Sequence, residues 1–413
     1  MPGLNETPIG SRLHIAIFGR RNVGKSSLIN ALTNQQAAIV SEVAGTTTDP
    51  VIKAMEILPL GPVVIIDTAG IDDSGVLGDK RVRRTLQVLD RTELALLVLD
   101  REVLPDGYEQ DLVARIRERE LPLIAVANKS DLGLPDGPLQ AWAEQRKLPF
   151  ASVSAVTGEG IDLLKQLMIK HAPTGRVEPP LVGDLVRPGD LAVLVVPIDK
   201  AAPKGRLILP QVMTLRDLLD HDAYALVVKE RELRVALAGL QQQPRLVITD
   251  SQALLKAAAD TPRDITFTSF SILFARYKGD LEYAVESTQA IEKLRPGSRV
   301  LIAEACTHHR QPDDIGNVQI PRWLRQLVGG DLRFSWSSGQ DFPVETSGFD
   351  LVVHCGGCMV NRQEMLSRVR RAREAGVPMT NYGVLLAYVH GVLERALSPF
   401  PWVRSALRQE ELA

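Results

Sequence analysis

Leu13-His14-Ile15-Ala16-Ile17-Phe18-Gly19-Arg20-Arg21-Asn22-Val23-Gly24-Lys25-Ser26 is the stretch on which the fold turns. Its first six residues are an apolar run of strand length, and a glycine-bearing turn follows at once. G-x-x-x-x-G-K-S between a strand and a helical pattern is a phosphate loop, because that context separates a real one from a chance match. The amides of Asn22, Val23, Gly24, Lys25, Ser26 and Ser27 then cradle phosphates. Lys25 reaches the β and γ groups, and the Ser26 hydroxyl ligates Mg2+.

Further elements follow in a fixed order. Gly45-Thr46-Thr47-Thr48-Asp49 offers the Thr47 hydroxyl to the same magnesium. Val63 to Ile66 is a strand running into Asp67-Thr68-Ala69-Gly70, where Asp67 supports the metal and the Gly70 amide meets a γ-phosphate. Lys25, Thr47 and Gly70 are therefore the candidate catalytic groups. Leu121 to Ala127 leads into Asn128-Lys129-Ser130-Asp131, whose last carboxylate accepts from the N1 and N2 hydrogens of guanine. Adenine has no such donor pair. Ser152-Val153-Ser154-Ala155 supplies the last loop around the base through Ser154 and Ala155. Each short motif is weak alone, but the ordered set reads as a GTP/GDP site.

On these motifs the first part resembles a Ras-like GTPase, nearest to the subgroup typified by TrmE and Era. Ras-like enzymes carry a water-orienting Gln after Asp-x-x-Gly, and Ile71 stands there instead. That subgroup binds K+ through an Asn of the phosphate loop, which Asn22 matches. The resemblance implies hydrolysis that is slow alone and stimulated by potassium.

Three cysteines complete the chemistry, all in one region. Cys306 lies in Cys306-Thr307-His308-His309, and the pair in His354-Cys355-Gly356-Gly357-Cys358. Two apolar runs, Arg299 to Ala305 and Phe349 to Val353, end where the cysteines begin. They read as buried parallel strands, and ligands of open α/β sheets collect beyond such carboxyl ends. A helix from Arg362 to Ala375 follows, its N-terminal dipole favouring a thiolate. Unrelated buried thiols, a disulfide, a structural zinc and an iron-sulfur cluster on three thiolates all compete for these residues. Spacing does not choose between zinc and iron.

Pro173, Pro179 and Pro180 mark a linker. Beyond it, strands at 191–198, 224–228 and 245–249 alternate with helical patterns, and edge strands there suit dimerisation. A helical pattern runs from 270 to 294, another from 383 to 397. The expectation is an α/β chain: a Ras-like P-loop GTPase domain (1–174) followed by two smaller α/β domains, one for dimerisation (175–263) and one bearing the cysteines (264–413).

Cys-x-His, a long spacer and His-Cys-x-x-Cys behind such a GTPase resembles the [FeFe]-hydrogenase maturation GTPases, the HydF family. Ala202-Pro203-Lys204-Gly205-Arg206-Leu207-Ile208-Leu209-Pro210 and Asn381-Tyr382-Gly383 are similar to that family too. The resemblance implies a homodimer with a [4Fe-4S] cluster on Cys306, Cys355 and Cys358. It also implies that His308 and His354 act either as a labile ligand or as a hydrogen-bonding support to one. The protein would hold a transient diiron subcluster precursor made with the radical-SAM maturases HydE and HydG, and deliver it to the apo-[FeFe]-hydrogenase HydA.

Composition sets the remaining bounds. A net charge of -2 argues against a broad nucleic-acid footprint. Arg368, Arg370, Arg371 and Arg373 form a local basic cluster, read as a solvated helix face. Without a membrane-length apolar run or a signal-peptide core before His14, a cytoplasmic protein is expected. The competing readings are a tRNA-modifying or ribosome-associated GTPase with a structural zinc, and a metal-free redox switch.

Overall fold

The computed structural model describes residues 7–34, 41–43, 51–68, 76–133, 136–173, 179–197, 207–305, 314–339 and 341–403. The chain divides into two compact units, Met1–Val177 and Glu178–Ala413.

The first unit alternates strand and helix. Its elements are β1 (Leu13–Gly19), α1 (Lys25–Asn34), β2 (Ser41–Val43), β3 (Val51–Ile57), β4 (Gly61–Asp67), α2 (Val76–Arg91), β5 (Leu94–Leu99), α3 (Gly107–Glu118), β6 (Leu123–Ala127), α4 (Gly137–Gln145), β7 (Phe150–Ser152) and α5 (Ile161–His171). They form a seven-stranded sheet in the order β2-β3-β4-β1-β5-β6-β7. Strands β4, β1, β5, β6 and β7 run parallel, while β2 and β3 pair antiparallel at one edge. β1, β4, β5 and β6 are apolar runs because both faces are covered. Ile15, Ile17 and Leu96 pack on one face, Ala16, Phe18 and Leu97 on the other. Mixed sheet, phosphate loop after β1 and guanine motif after β6 make this a Ras-like P-loop GTPase fold.

The second unit holds two parallel four-stranded sheets. The first is built from β8 (Leu191–Val195), α6 (Leu209–Asp220), β9 (Tyr224–Val228), α7 (Leu233–Gly239), β10 (Leu246–Thr249), α8 (Leu254–Asp260) and β11 (Thr266–Ser269), in the order β11-β10-β8-β9. Three helices follow, α9 (Phe270–Lys278), α10 (Leu281–Glu286) and α11 (Gln289–Lys293). The second sheet, β13-β12-β14-β15, comprises β12 (Arg299–Glu304), β13 (Arg333–Ser338), β14 (Leu351–His354) and β15 (Met379–Asn381). Around it lie α12 (Ile320–Val328), α13 (Arg362–Glu374), α14 (Tyr382–Val389) and α15 (Leu393–Ala396). One continuous apolar core joins the two sheets, with Val247, Phe267 and Phe274 packed into the same cluster as Ile302, Val353 and Leu385. Burying side chains of this size contributes about 1.5–3 kcal/mol each. Leu301 and Val352 face α13 on the opposite side.

Two helix expectations are corrected. The pattern over 270–294 is three helices rather than one. Gly279 leaves helical geometry at φ -112°, ψ -144°, and the Asp280 carboxylate accepts from the Tyr283 amide to start a new helix. The pattern over 383–397 likewise breaks, at Gly391 with φ +66°. β11 was not expected from its sequence, because only one residue of Thr-Phe-Thr-Ser is apolar.

Candidate functional site

The nucleotide end is assembled by hydrogen bonds between segments far apart in sequence. Asn128 Nδ2 donates to the carbonyls of Val23 (3.1 Å) and Gly24 (3.4 Å), which ties the guanine motif to the phosphate loop. Its Oδ1 accepts from the Ala155 amide at 3.1 Å, and the Ser154 hydroxyl donates to Asp131 Oδ1 at 2.6 Å. Asp131 is exposed, and its carboxylate is available to a base. Lys129 supports the turn in the left-handed region at φ 65°. Gly24 is required as glycine: at φ +92° a Cβ would sit 2.2 Å from Asn128 Nδ2.

The phosphate loop is held by its own hydrogen bonds. Lys25 is buried, and its Nζ donates to the Gly19 carbonyl at 2.8 Å and to that of Arg20. The Ser26 hydroxyl donates to Asp67 Oδ2 at 2.6 Å, which brings two of the three expected magnesium groups together. Burial raises the Asp67 pKa, opposed by that hydrogen bond and by Lys25. A divalent cation here would favour the carboxylate. Asn22, at φ 64°, and Ser27 are exposed on the loop and the start of α1. Thr47 and Gly70 lie outside the described residues.

Two arginines that motif reading did not single out brace this end. Arg20 makes a two-pronged bond to Glu109 of α3 at 2.7 and 3.0 Å, and also pairs with Asp106. Arg101, with a side chain 2% exposed, donates to the carbonyls of Ala127 and Asn128 and to the Ser152 hydroxyl, and pairs with Asp136. Its planar fork fixes the guanine loop from behind.

The cysteine end stands on neighbouring strands. β12 and β14 are adjacent and parallel, Ala303 opposite His354, so both carboxyl ends open on one edge. Cys306 and His308, just past β12, lie outside the described residues, as does the 202–206 turn. Cys355 and Cys358 are free thiols. Cys355 Sγ accepts from the amides of Ala305 (3.1 Å) and Gly357 (3.5 Å). Gly357 takes φ +66°, and a Cβ there would meet Met365 Cε at 2.2 Å. Burial raises the Cys355 pKa and pushes Cys358 up to about 11, with Cys355 adding and Lys278 opposing. Binding a cation or cluster through this pair would release the thiol protons. Among the described residues no group of three His, Cys, Asp or Glu side chains is arranged to hold a metal.

His354 is held at both ring nitrogens. Arg368 Nη1 donates to Nε2 at 2.9 Å, so Nδ1 carries the proton and donates to the Cys355 carbonyl at 2.7 Å. Burial, then Arg368, pushes its pKa down to about 3. Arg368 itself is buried, bonded to Glu364 at 2.6 Å and to the Gly339 carbonyl at 2.7 Å. The basic cluster expected to be a solvated face thus contains one arginine that belongs to the core. The Asn381-Tyr382-Gly383 segment forms another wall. Asn381 caps α14, and the Tyr382 hydroxyl donates to the buried Glu304 at 3.2 Å.

Known proteins match these parts separately. Residues 14–129 match the family model of 50S ribosome-binding GTPases, 181–279 that of the hydrogen maturase F dimerization domain, and 282–399 that of the hydrogen maturase F tetramerization domain. The tRNA modification GTPase MnmE of Chromobacterium violaceum is 39% identical over 159 residues, 38% of this chain and 34% of that protein. MnmE of Nitrosomonas europaea is 35% identical over 161 residues, 39% and 35%. The chain thus spans about a third of the length of the curated relatives it matches. Among solved structures, Aquifex aeolicus Era bound to GDP and aluminium fluoride has a TM-score of 0.34 at 22% identity, over 52% of this chain and 92% of that one. The G domain of the T. maritima FeoB iron transporter gives 0.31 at 24%, over 39% and 98%.

Fold and site together define a P-loop GTPase domain, binding GTP or GDP with magnesium, joined to two further α/β sheets. The two hydrogen maturase F models cover more than half of the 413 residues. The chain belongs to the hydrogen maturase F family. Among the described residues no helix is long and apolar enough to cross a membrane.

Proposed function

We propose that this protein is a GTP-hydrolysing scaffold and carrier that binds a [4Fe-4S] cluster through Cys306, Cys355 and Cys358, holds the diiron precursor of the hydrogenase active site, and delivers it to apo-[FeFe]-hydrogenase HydA. The observation that carries this reading is the Cys355 sulfur, met by two backbone N–H groups at the carboxyl edge of a parallel sheet. Amide-to-sulfur bonds favour the anionic form, whether thiolate or cluster ligand. The donor set therefore fits the group. Three thiolates leave one iron with an exchangeable position. His354, with both ring nitrogens engaged, serves as a support that orients the Cys355 loop.

The radical-SAM maturases HydE and HydG are the proposed source of the precursor. A functional partition at 1–174, 175–263 and 264–413 goes with this reading, the middle part supporting a homodimer. Edge strand β9 exposes Tyr224 (63%) and Val227 (42%), as an interface strand does. Thr47 and Gly70 complete the catalytic set with Lys25. The tRNA-modification reading accounts for the first unit alone, since those relatives match only about two-fifths of the chain. Loading the protein with HydE and HydG and adding it to apo-hydrogenase tests the carrier role: hydrogen evolution is expected, and none from a loaded protein would reject it.

Asn22 makes a further expectation. It is exposed on the phosphate loop, and in this reading its side chain ligates K+ beside the bound nucleotide. A cation there supplies charge that arginine fingers supply elsewhere, an effect of roughly 10³–10⁵ in rate. Exchanging potassium for sodium at constant ionic strength is expected to lower turnover by about tenfold or more; equal rates in the two salts count against a potassium site.

A further inference from the structure

Helix α9 ends on Lys278, whose side chain is among the largest fully buried ones in the protein, at 2% exposure. Lysine is almost never buried so completely unless its ammonium is paired, because desolvating the charge is expensive. Its Nζ donates to the Val360 carbonyl at 2.6 Å and the Cys358 carbonyl at 3.2 Å, and lies 5.9 Å from the Phe274 ring centroid. Both carbonyls belong to the irregular loop between β14 and α13 that carries the cysteine pair, and neither lies in a strand or helix. Arg362, at the start of α13, donates to the Tyr277 carbonyl and fastens the far end of that loop to the same helix. The segment bearing Cys358 is thereby fixed to the C-terminal turn of α9.

We propose that Lys278 is a positioning residue for the Cys355–Cys358 loop and a fixed positive charge beside the metal group it holds, setting the loop's rigidity and the reduction potential of the bound cluster. This rests on the iron-sulfur reading above. A neighbouring cation stabilises the more negative, reduced state of a cluster and raises its potential. The N–H donors act independently of the metal, by restraining the loop.

Two variants separate the effects: Lys278→Met removes both donors and charge at similar volume, and Lys278→Gln keeps a donor while removing the charge. Hydrogen exchange of the 355–361 segment is measured on metal-free protein, with circular dichroism to confirm folding. A potentiometric EPR titration follows on anaerobically reconstituted protein. In Lys278→Met, exchange is expected to be about tenfold faster. In both variants the reduced-to-oxidised ratio at fixed poise is expected to fall about tenfold, a downward shift of about 59 mV for a one-electron couple. Lys278→Gln carries the potential measurement if Lys278→Met does not fold. Unchanged potentials overturn the charge role, and unchanged exchange overturns the clamp. Wild-type protein that takes up no iron and sulfide defeats the iron-sulfur reading instead, and the exchange comparison then decides the clamp alone.

Discussion

Lys25→Met is expected to lower single-turnover GTP hydrolysis by about a thousandfold at saturating nucleotide, in line with the loss of one donor aimed at developing charge. Lys25 is buried, and its ammonium is held by the carbonyls of Gly19 and Arg20. Little reorganisation remains to be done when phosphates arrive, so most of the interaction is realised on the β and γ groups. Nucleotide affinity should fall as well, which is why the comparison is made at saturation. The loop is fastened independently through Arg20 to Glu109 and through Asn128 to Val23, so the fold should persist. A variant that is folded, saturated and hydrolyses GTP within about threefold of wild type would remove Lys25 from the catalytic set.

Cys355→Ser is the second large effect, and it falls on the other end of the chain. A serine oxygen is harder and far less acidic than a thiol, and it suits an iron-sulfur cluster poorly. The two amides aimed at Cys355 Sγ would then meet a shorter, neutral oxygen. Cluster iron and sulfide in the purified variant are expected below about a tenth of wild type, and hydrogenase activation with them. GTP hydrolysis should stay near wild type, because Cys355 belongs to the second unit and the nucleotide groups to the first. Activation that survives the substitution would mean the cargo does not depend on this thiol.

These two sites were legible in the sequence for the same reason. Phosphate loop, guanine motif and Cys-x-x-Cys each place their chemistry within a few consecutive residues, where backbone geometry alone sets the spacing. Their supports were not legible, because burial of a charge is a tertiary outcome. Lys278 reads as an ordinary basic residue at a helix C-terminus, and only packing brings it to carbonyls 80 and 82 positions away. Arg368 is one of five arginines on α13, and only packing shows that it is the one that meets His354. Arg101 follows β5 with no motif around it, although its partners are the guanine loop itself. The helix expected over 270–294 had continuous apolar periodicity, but Gly279 and Asp280 reset the backbone locally. A glycine followed by a capping carboxylate was the available signal.

The most direct test is metal and acid-labile sulfide analysis of protein purified without oxygen, with an EPR spectrum after reduction. The account predicts iron and sulfide in near-equal amounts, about four of each per chain, and the signal of a reduced [4Fe-4S] cluster. One zinc per chain with no sulfide, persisting after reconstitution with iron and sulfide, would contradict it and return the cysteine end to a structural role.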